Sequence, residues 1–408
     1  ADNKQTTFER VKSFSFSGES PLWIAIQFMA LETASKEPTA PKGTDILLYN
    51  LSTKKSFNLG NVAEFAFNKI GDQLAYTVDA NGQNGNGILL RDMKTGITTA
   101  LDNDKAAYKS INWNENGTAF AALKANKNEK YKDEVFSVIG VNKINGELTT
   151  KVTYNGLEDK NFPKEMGINT NASPYWSDDQ TTLYFGINSL GKKEDKKADS
   201  TSKAKPELKK EDIEKPDMMI WNWQDKRLQS AQQTQETRDK TFSYTSAYRI
   251  ADQKFTQLAD SNMRSVMVAP KQLYAIGYDN SKYELMGNLD GQSYTDIYLI
   301  DLKTGAKKQI FEKMYATSGG RLSVAPNGKI ASYYVDGVFY SMNLETNVTA
   351  NLTGNIKSSF INQLDDHNVN KPSTQNLGWS TDSKYALIMD NYGLWKISAD
   401  GKSVVALS

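Results

Sequence analysis

Thr295-Asp296-Ile297-Tyr298-Leu299-Ile300-Asp301-Leu302-Lys303-Thr304-Gly305-Ala306-Lys307-Lys308-Gln309-Ile310-Phe311 reads as a strand, a tight turn and a second strand. The first half is apolar and rich in β-formers. Asp301 can close the turn by accepting from backbone just ahead of it, and Gly305 supplies a left-handed position. The unit recurs. Ile46-Leu47-Leu48-Tyr49 runs into Asn50-Leu51-Ser52-Thr53-Lys54, and Ile88-Leu89-Leu90 into Asp92-Met93-Lys94-Thr95-Gly96. Val338-Phe339-Tyr340 leads to Asn343-Leu344-Glu345-Thr346-Asn347 in the same way. Ile88 lies 42 positions after Ile46, and Val338 lies 41 after Ile297. A period of that size, with several short strands per unit, is the signature of a β-propeller blade. A single blade cannot bury both faces of its sheet, so the fold needs its neighbours.

A second unit stands upstream of each of these. It is an apolar stretch, a polar turn and another apolar run: Phe65-Ala66-Phe67 to Tyr76, Ile111-Asn112-Trp113 to Leu123, Tyr175-Trp176-Ser177 to Phe185. Val266-Met267-Val268, Leu322-Ser323-Val324 and Leu377-Gly378-Trp379 open three more, and Phe14-Ser15-Phe16 a looser one. Turns such as Asn116-Gly117 and Asn327-Gly328 suit hairpins. These would be the inner hairpins that line the channel. The expected fold is therefore all-β, a propeller of four-stranded antiparallel blades in a single domain over residues 1–408. Seven inner hairpins give seven blades. An additional outer unit in residues 218–258 would give eight, and the ring could be incomplete.

Composition narrows the function. The chain has 408 residues, 38% hydrophobic and 24% charged, as in ordinary globular proteins. Its net charge is +1, which argues against nucleic acid or an anionic membrane as the main partner. There is no cysteine, hence no disulfide, thiolate metal site or cysteine nucleophile. The longest apolar run, Pro21 to Leu31, is too short to span a bilayer. No signal peptide is visible at Ala1. Residues 189–217, with Lys192-Lys193-Glu194-Asp195-Lys196-Lys197, read as a charged, flexible insertion between strands. Residues 32–42 and 124–133 look like smaller excursions.

Catalytic equipment is sparse. The nearest approach to a serine nucleophile elbow is Gly291-Gln292-Ser293-Tyr294-Thr295, which lacks the second glycine and precedes a strand. The single histidine, His367, lies in the polar segment Leu364-Asp365-Asp366-His367-Asn368. It reads as an exposed loop, or as a mouth loop whose acidic pair and imidazole meet a ligand or a partner domain. One His and two adjacent carboxylates are too few for a metal site. The Asp79-to-Gly87 loop fails the calcium-loop pattern at its glycine and lacks the closing Glu. Trp221 and Trp223 alternate along a strand and would share a face, either for packing or for stacking on a peptide. No phosphate loop or dinucleotide fingerprint is present, and no cofactor is expected.

Three segments carry a resemblance. The first is Lys215-Pro216-Asp217 with Ile220-Trp221-Asn222-Trp223, Asp225, Leu228-Gln229 and Gln232. The second is Asp365-Asp366-His367 with Pro372. The third is Gly378-Trp379-Ser380, Asp382, Lys384, Asp390, Tyr392, Trp395 and Asp400-Gly401, ending in Val404-Val405-Ala406-Leu407. Together they resemble the propeller of bacterial serine peptidases of the prolyl oligopeptidase family, of the dipeptidyl-peptidase and acylaminoacyl-peptidase type. The earlier repeats fit the family more generically. The resemblance implies a non-catalytic propeller that gates short peptides and docks on an α/β-hydrolase domain of the same polypeptide, expected after Ser408. It also implies a periplasmic or secreted location, and sequence ahead of Ala1. None of the family's triad positions has a counterpart here. Asp365, Asp366, His367 and Tyr392 would lie at the mouth or the domain interface. Relatives tend to carry an Asp where Gly393 stands, so a ligand role of that residue does not carry over.

Overall fold

The computed structural model describes residues 5–19, 21–30, 40–144, 149–193, 222, 224–316, 321–366 and 370–408. It contains two compact units, one formed by 1–191 with 243–258, the other by 192–242 with 259–408.

The first unit holds four blades. Blade 1 is β1 (Val11–Phe16), β2 (Trp23–Phe28), β3 (Thr44–Asn50) and the first half of β4 (Ser56–Phe67). β4 bends at Asn61 (φ 54°) and its second half opens blade 2, with β5 (Gln73–Val78), β6 (Gly87–Asp92) and β7 (Thr98–Asn103). Blade 3 is β8 (Tyr108–Trp113), β9 (Phe120–Asn126), β10 (Val135–Asn142) and β11 (Thr150–Tyr154). A short strand, β12 (Met166–Ile168), follows and bridges β10 to blade 4. Blade 4 is β13 (Tyr175–Trp176), β14 (Thr182–Ser189), β15 (Tyr244–Arg249) and β16 (Lys254–Gln257). The stretch between β14 and β15 includes α1 (Gln229–Lys240) and groups with the second unit.

That unit holds three blades. Blade 5 is β17 (Ser265–Val268), β18 (Tyr274–Asp279), β19 (Tyr294–Asp301) and β20 (Lys307–Tyr315), with α2 (Glu284–Asp290) between β18 and β19. Blade 6 is β21 (Ser323–Val324), β22 (Ile330–Val335), β23 (Val338–Asn343) and β24 (Thr349–Asn351). Blade 7 is β25 (Asn376–Trp379), β26 (Tyr385–Met389), β27 (Leu394–Ser398) and β28 (Val404–Ala406). Every pairing within a blade is antiparallel, in the order 1-2-3-4. The fold is a β-propeller, and the described residues make seven blades. Of the additional outer unit expected in 218–258, the later part is β15 and β16 of blade 4. Its first part, 218–223 with Trp221 and Trp223, lies outside the described residues except for Asn222.

The turn chemistry read from the repeat operates as expected. Asp301 Oδ1 accepts from Thr304 N (2.7 Å), Asp92 Oδ1 from Thr95 N (2.7 Å), Asn50 Oδ1 from Thr53 N (2.8 Å) and Asn343 Oδ1 from Thr346 N (3.0 Å). The left-handed position is Gly305 (φ 80°) or Gly96 (φ 75°), and Lys54 (φ 60°) or Asn347 (φ 58°) where glycine is missing. In each turn the side-chain oxygen accepts from a backbone N–H within the turn itself, so the chemistry is local in sequence.

Blades are stapled to each other by tryptophan. Trp113 of blade 3 donates its indole N–H to Ala66 O of blade 2 (3.0 Å), Trp176 of blade 4 to Phe120 O of blade 3 (3.0 Å), and Trp379 of blade 7 to Ser323 O of blade 6 (2.9 Å). The ring fills the gap between blades while its one polar atom satisfies a carbonyl there. A second link is ionic. Asp102 of β7 accepts from Tyr108 Oη (2.7 Å), Lys124 Nζ (3.0 Å) and Lys151 Nζ (2.7 Å), which tie blade 2 to blade 3. Burial pushes the Asp102 carboxyl up, but these donors outweigh it and hold it below the usual range. Asp102→Ala strips two ammonium groups and a phenol of their shared acceptor. It should cost roughly 1–3 kcal/mol in urea unfolding. A loss within error of zero would mean that the link contributes nothing net.

Candidate functional site

Antiparallel order within a blade divides its connections between two ends. The 1–2 and 3–4 turns leave from one end. The 2–3 connections and the passages to the next blade leave from the other. The first set is tight where all its residues are described, as in 68–72, 177–181, 302–306 and 380–384. The second set contains every long excursion: 29–43, 155–174, 190–243, 280–293 and 352–375. Loops on a rigid scaffold are where binding groups concentrate, so the second end is the one to search.

In the second unit this end is organised around residues 352–375, between blades 6 and 7. The base of the segment is a small ladder. Ile361 and Ser373 form a bridge, Asn362 N donates to Pro372 O (2.9 Å) and Thr374 N to Phe360 O (2.8 Å). Phe360 is buried and meets Phe339 edge to face (centroids 6.2 Å apart). From the other side, Asn391 in the β26–β27 turn donates to Ser359 O (3.1 Å) and Ile361 O (2.9 Å), while its Oδ1 accepts from Gln363 N (3.3 Å).

The turn itself is built on Asp390, which is buried. One oxygen accepts from Ser358 Oγ (2.6 Å) and Trp395 Nε1 (2.8 Å), the other from Tyr392 N (2.7 Å) and Gly393 N (2.6 Å). Burial alone would raise this carboxyl. The four donors prevail and lower it to about 2. Gly393 is required for a different reason: a Cβ there would stand 2.3 Å from Ser408 O.

Two clefts flank the segment. The first, about 750 Å³, lies between blades 5 and 6 and takes Ile361, Asn370 and Lys371 from it. Its walls are aromatic: Tyr294, Phe311, Tyr315 and Tyr334. Tyr294 and Tyr315 are cross-strand partners with rings 5.5 Å apart, and Lys313 Nζ stands 5.0 Å from the Tyr294 centroid. Tyr315 Oη donates to Asn370 O (3.1 Å). Beneath it, the fully buried Asp296 accepts from Lys282 Nζ (2.7 Å), Tyr283 Oη (2.7 Å) and Lys313 N (2.9 Å), which pins the 280–293 connection to blade 5. Glu312 and Asp336 line the same cleft as Lys313 and Lys371, so its charged side chains balance. The second cleft, about 600 Å³, is lined by Asn362, Leu364 and Ser373–Leu377 on one side and Met389, Asp390 and Asn391 on the other.

The sequence-derived candidates fall here in part. Asp365 is half-buried and Asp366 exposed, both at the tip of the segment. Tyr392 is 90% exposed on the Asp390 turn. Asn391, the residue before Tyr392, accepts from Gln363 N, two residues ahead of Asp365. His367, Trp221 and Trp223 lie outside the described residues. Gly291 ends α2 in a left-handed conformation (φ 71°) and the chain then enters β19, so Ser293 follows a helix and precedes a strand, the reverse of a nucleophile elbow. In the Asp79 loop, Oδ1 takes Asn86 Nδ2 (3.0 Å) and Oδ2 takes Lys42 N (2.8 Å), so the carboxylate closes its own loop. Among the described residues no three His, Cys, Asp or Glu side chains cluster as a metal site would require, and no helix is long and apolar enough to cross a membrane.

Several solved structures are similar. The β-propeller domain of the Trilobed protease from Pyrococcus furiosus matches over 97% of this chain and 97% of its own, at 9% identity and a TM-score of 0.35. Porphyromonas gingivalis dipeptidyl peptidase 4 matches 99% of this chain and 53% of its own, at 8% identity and a TM-score of 0.45. Pyrococcus horikoshii acylaminoacyl peptidase matches 95% and 50%, at 13% identity and a TM-score of 0.33. The chain thus spans about half the length of the last two. No family model matches it, and no curated protein does.

Proposed function

We propose that this chain is the non-catalytic propeller of a prolyl oligopeptidase-type serine peptidase, exported to the periplasm or beyond. It restricts entry to short peptides and packs against an α/β-hydrolase domain. The observation that carries the reading is the concentration of every long connection, and of two peptide-sized clefts, at one end of the blades. The residue pattern from Lys215 onward supports it. A hydrolase domain docked at that end would find the aromatic cleft, the acidic tip at Asp365 and Asp366, and the exposed Tyr392.

The test compares this chain alone with the polypeptide encoded by the gene read on past Ser408. The chain alone is expected to release no chromophore from dipeptidyl or acylaminoacyl substrates and to take no label from a fluorophosphonate. The longer protein should do both. Labelling of a serine within residues 1–408 would refute the reading. A gene that stops at Ser408 would favour a free-standing propeller that binds a protein or peptide partner in the cell envelope.

A further inference from the structure

The connection from β5 to β6 carries Asn81-Gly82 and Asn84-Gly85, and Asn86-Gly87 closes it, three of the chain's seven Asn-Gly pairs. Such a pair is predisposed to lose ammonia. The glycine nitrogen can attack the preceding side-chain amide carbon. With no Cβ beside it, that nitrogen is the least hindered in the main chain, and its backbone turns most freely. In a folded protein the reaction also needs an amide and a glycine N–H that are not held elsewhere.

The structure sorts the pairs by this criterion. Asn86 is fully buried, its Oδ1 accepts from Ala80 N (2.8 Å), and its Nδ2 donates to Asp79 Oδ1 (3.0 Å) and Ala106 O (3.0 Å). Gly87 is paired with Val78 and Asn103 in the ladder. Gly117, Gly156 and Gly328 are buried as well. Gly117 N donates to Asn114 O (3.0 Å) and Gly328 N to Ala325 O (2.8 Å), while Asn155 Oδ1 accepts from Leu157 N (3.2 Å). Asn145-Gly146 lies outside the described residues. Asn81, Gly82, Asn84 and Gly85 are exposed. Among the described residues, neither of these two amide side chains and neither glycine N–H has a hydrogen-bond partner.

The two free pairs differ in one respect. The Asn81-Gly82 peptide lies inside a short 3₁₀ turn closed by Gln83 N to Ala80 O (3.0 Å). Asn84 stands past that turn with extended backbone (φ −76°, ψ 118°). The bond across it, Asn86 N to Gln83 O, is long at 3.4 Å, and the space around Gly85 is open. The Asn84-Gly85 peptide is therefore the freer of the two to rotate.

We propose that Asn84, and more slowly Asn81, are sites of spontaneous modification by water. Gly85 N loses its proton and bonds to Asn84 Cγ, and the side-chain nitrogen leaves as ammonia. The resulting succinimide takes up water at either carbonyl and opens to aspartate or isoaspartate. Each product carries a carboxylate that is ionised at neutral pH. The cleft beside this loop, about 730 Å³, is lined by Asn81 together with Lys12, Lys42, Lys109, Glu64, Asp79 and Glu134. Its charged side chains balance, and conversion of Asn81 tips it negative. Both conversions take the formal net charge of the chain from +1 to −1. The inference does not depend on the peptidase reading.

The test is storage of the folded chain at pH 8 and at pH 6, with a urea-unfolded sample beside it. Each Asn-Gly pair is followed by peptide mapping in a mass spectrometer. Isoaspartate is counted by methyl transfer from S-adenosylmethionine with an isoaspartyl methyltransferase. In the folded chain Asn84 should convert at least about tenfold faster than Asn86, the factor set by one or two net hydrogen bonds. Asn81 should follow Asn84, and both should react faster at pH 8, because the glycine N–H must be lost. Unfolding should remove the distinction between Asn84 and Asn86. Asn84→Gln should abolish the faster of two acidic shifts in ion-exchange elution and leave the slower. An intact Asn84 in the folded chain while the unfolded sample converts overturns the proposal. So does conversion of Asn86 as fast as Asn84, or an elution shift that survives Asn84→Gln unchanged.

Discussion

Trp176→Ala is expected to lower the unfolding free energy of the first unit by about 3–5 kcal/mol, the upper range for truncating a buried aromatic. Trp176 is 4% exposed and sits in the core shared by blades 3 and 4, with Leu123, Val138, Leu183 and Phe185. Its ring lies against Gly140 so closely that a Cβ there would be 2.5 Å from Cζ2. The site is thus shaped to the indole and cannot collapse around alanine without moving β10. The variant also leaves Phe120 O without its indole donor inside the core. Trp176→Phe keeps much of the ring and should recover more than half of the loss. Far-UV circular dichroism in urea reads both without relying on tryptophan emission. A change below about 1 kcal/mol for the alanine variant would show that neighbouring blades hold together without the staple.

Asp390→Asn should be the most damaging isosteric change at the candidate site, costing about 2–4 kcal/mol. All four partners of this carboxylate are donors: Ser358 Oγ, Trp395 Nε1, Tyr392 N and Gly393 N. An amide must turn its NH₂ towards two of them, so it both loses acceptors and creates a donor clash. The pH dependence follows from the depressed carboxyl, about 2 against an ordinary 3.8. Unfolding binds a proton more readily than folding allows. The contribution is therefore fully present above the ordinary value and is lost as pH falls towards about 2. Stability of the parent protein should drop across that interval, and Asp390→Asn should flatten this part of the acid limb. Thermal melts at pH 2.5, 3.5 and 5 decide the matter. Parallel curves for the two proteins would locate the acid sensitivity elsewhere.

The two variants also mark what could be read from sequence. The Asp or Asn turns are legible because their chemistry is confined to four or five consecutive residues, and Asp301, Asp92, Asn50 and Asn343 do the same job. The blade period follows from them. Trp113, Trp176 and Trp379 end their inner strands in the sequence too, yet nothing local says that each indole seeks a carbonyl in the preceding blade. The helix α1 has no signature in the sequence, because Gln229–Lys240 has no apolar face to give it a period and none of its residues is buried. It is held instead by ions beyond its own span. Asp239 takes Arg227 (3.0 Å) and Arg264 (2.8 Å). β12, with three residues, is too short to show any pattern.

The clefts show the same limit. Tyr294 and Tyr315 begin and end one strand-turn-strand, so a careful reader of the repeat could have paired them across the ladder. Tyr334 and Lys371 reach the same space only because blade 6 and the 352–375 segment bring them there.

The unequal ends of the blades have a practical consequence. A 2–3 connection starts and finishes on neighbouring strands that are already paired, so its length can change without slipping the register of either. The tight turns at the opposite end allow no such freedom, because their acceptor and left-handed residue fix the count. A foreign epitope grafted beyond Tyr283 in the 280–293 connection, so that Lys282 and Tyr283 still hold Asp296, should leave blade 5 intact, whereas the same graft at 302–306 should unfold it. The long 2–3 connections thus offer engineers places for rewriting, while the short ones, 336–337 and the Asp390 turn, are to be left alone with the tight turns of the other end.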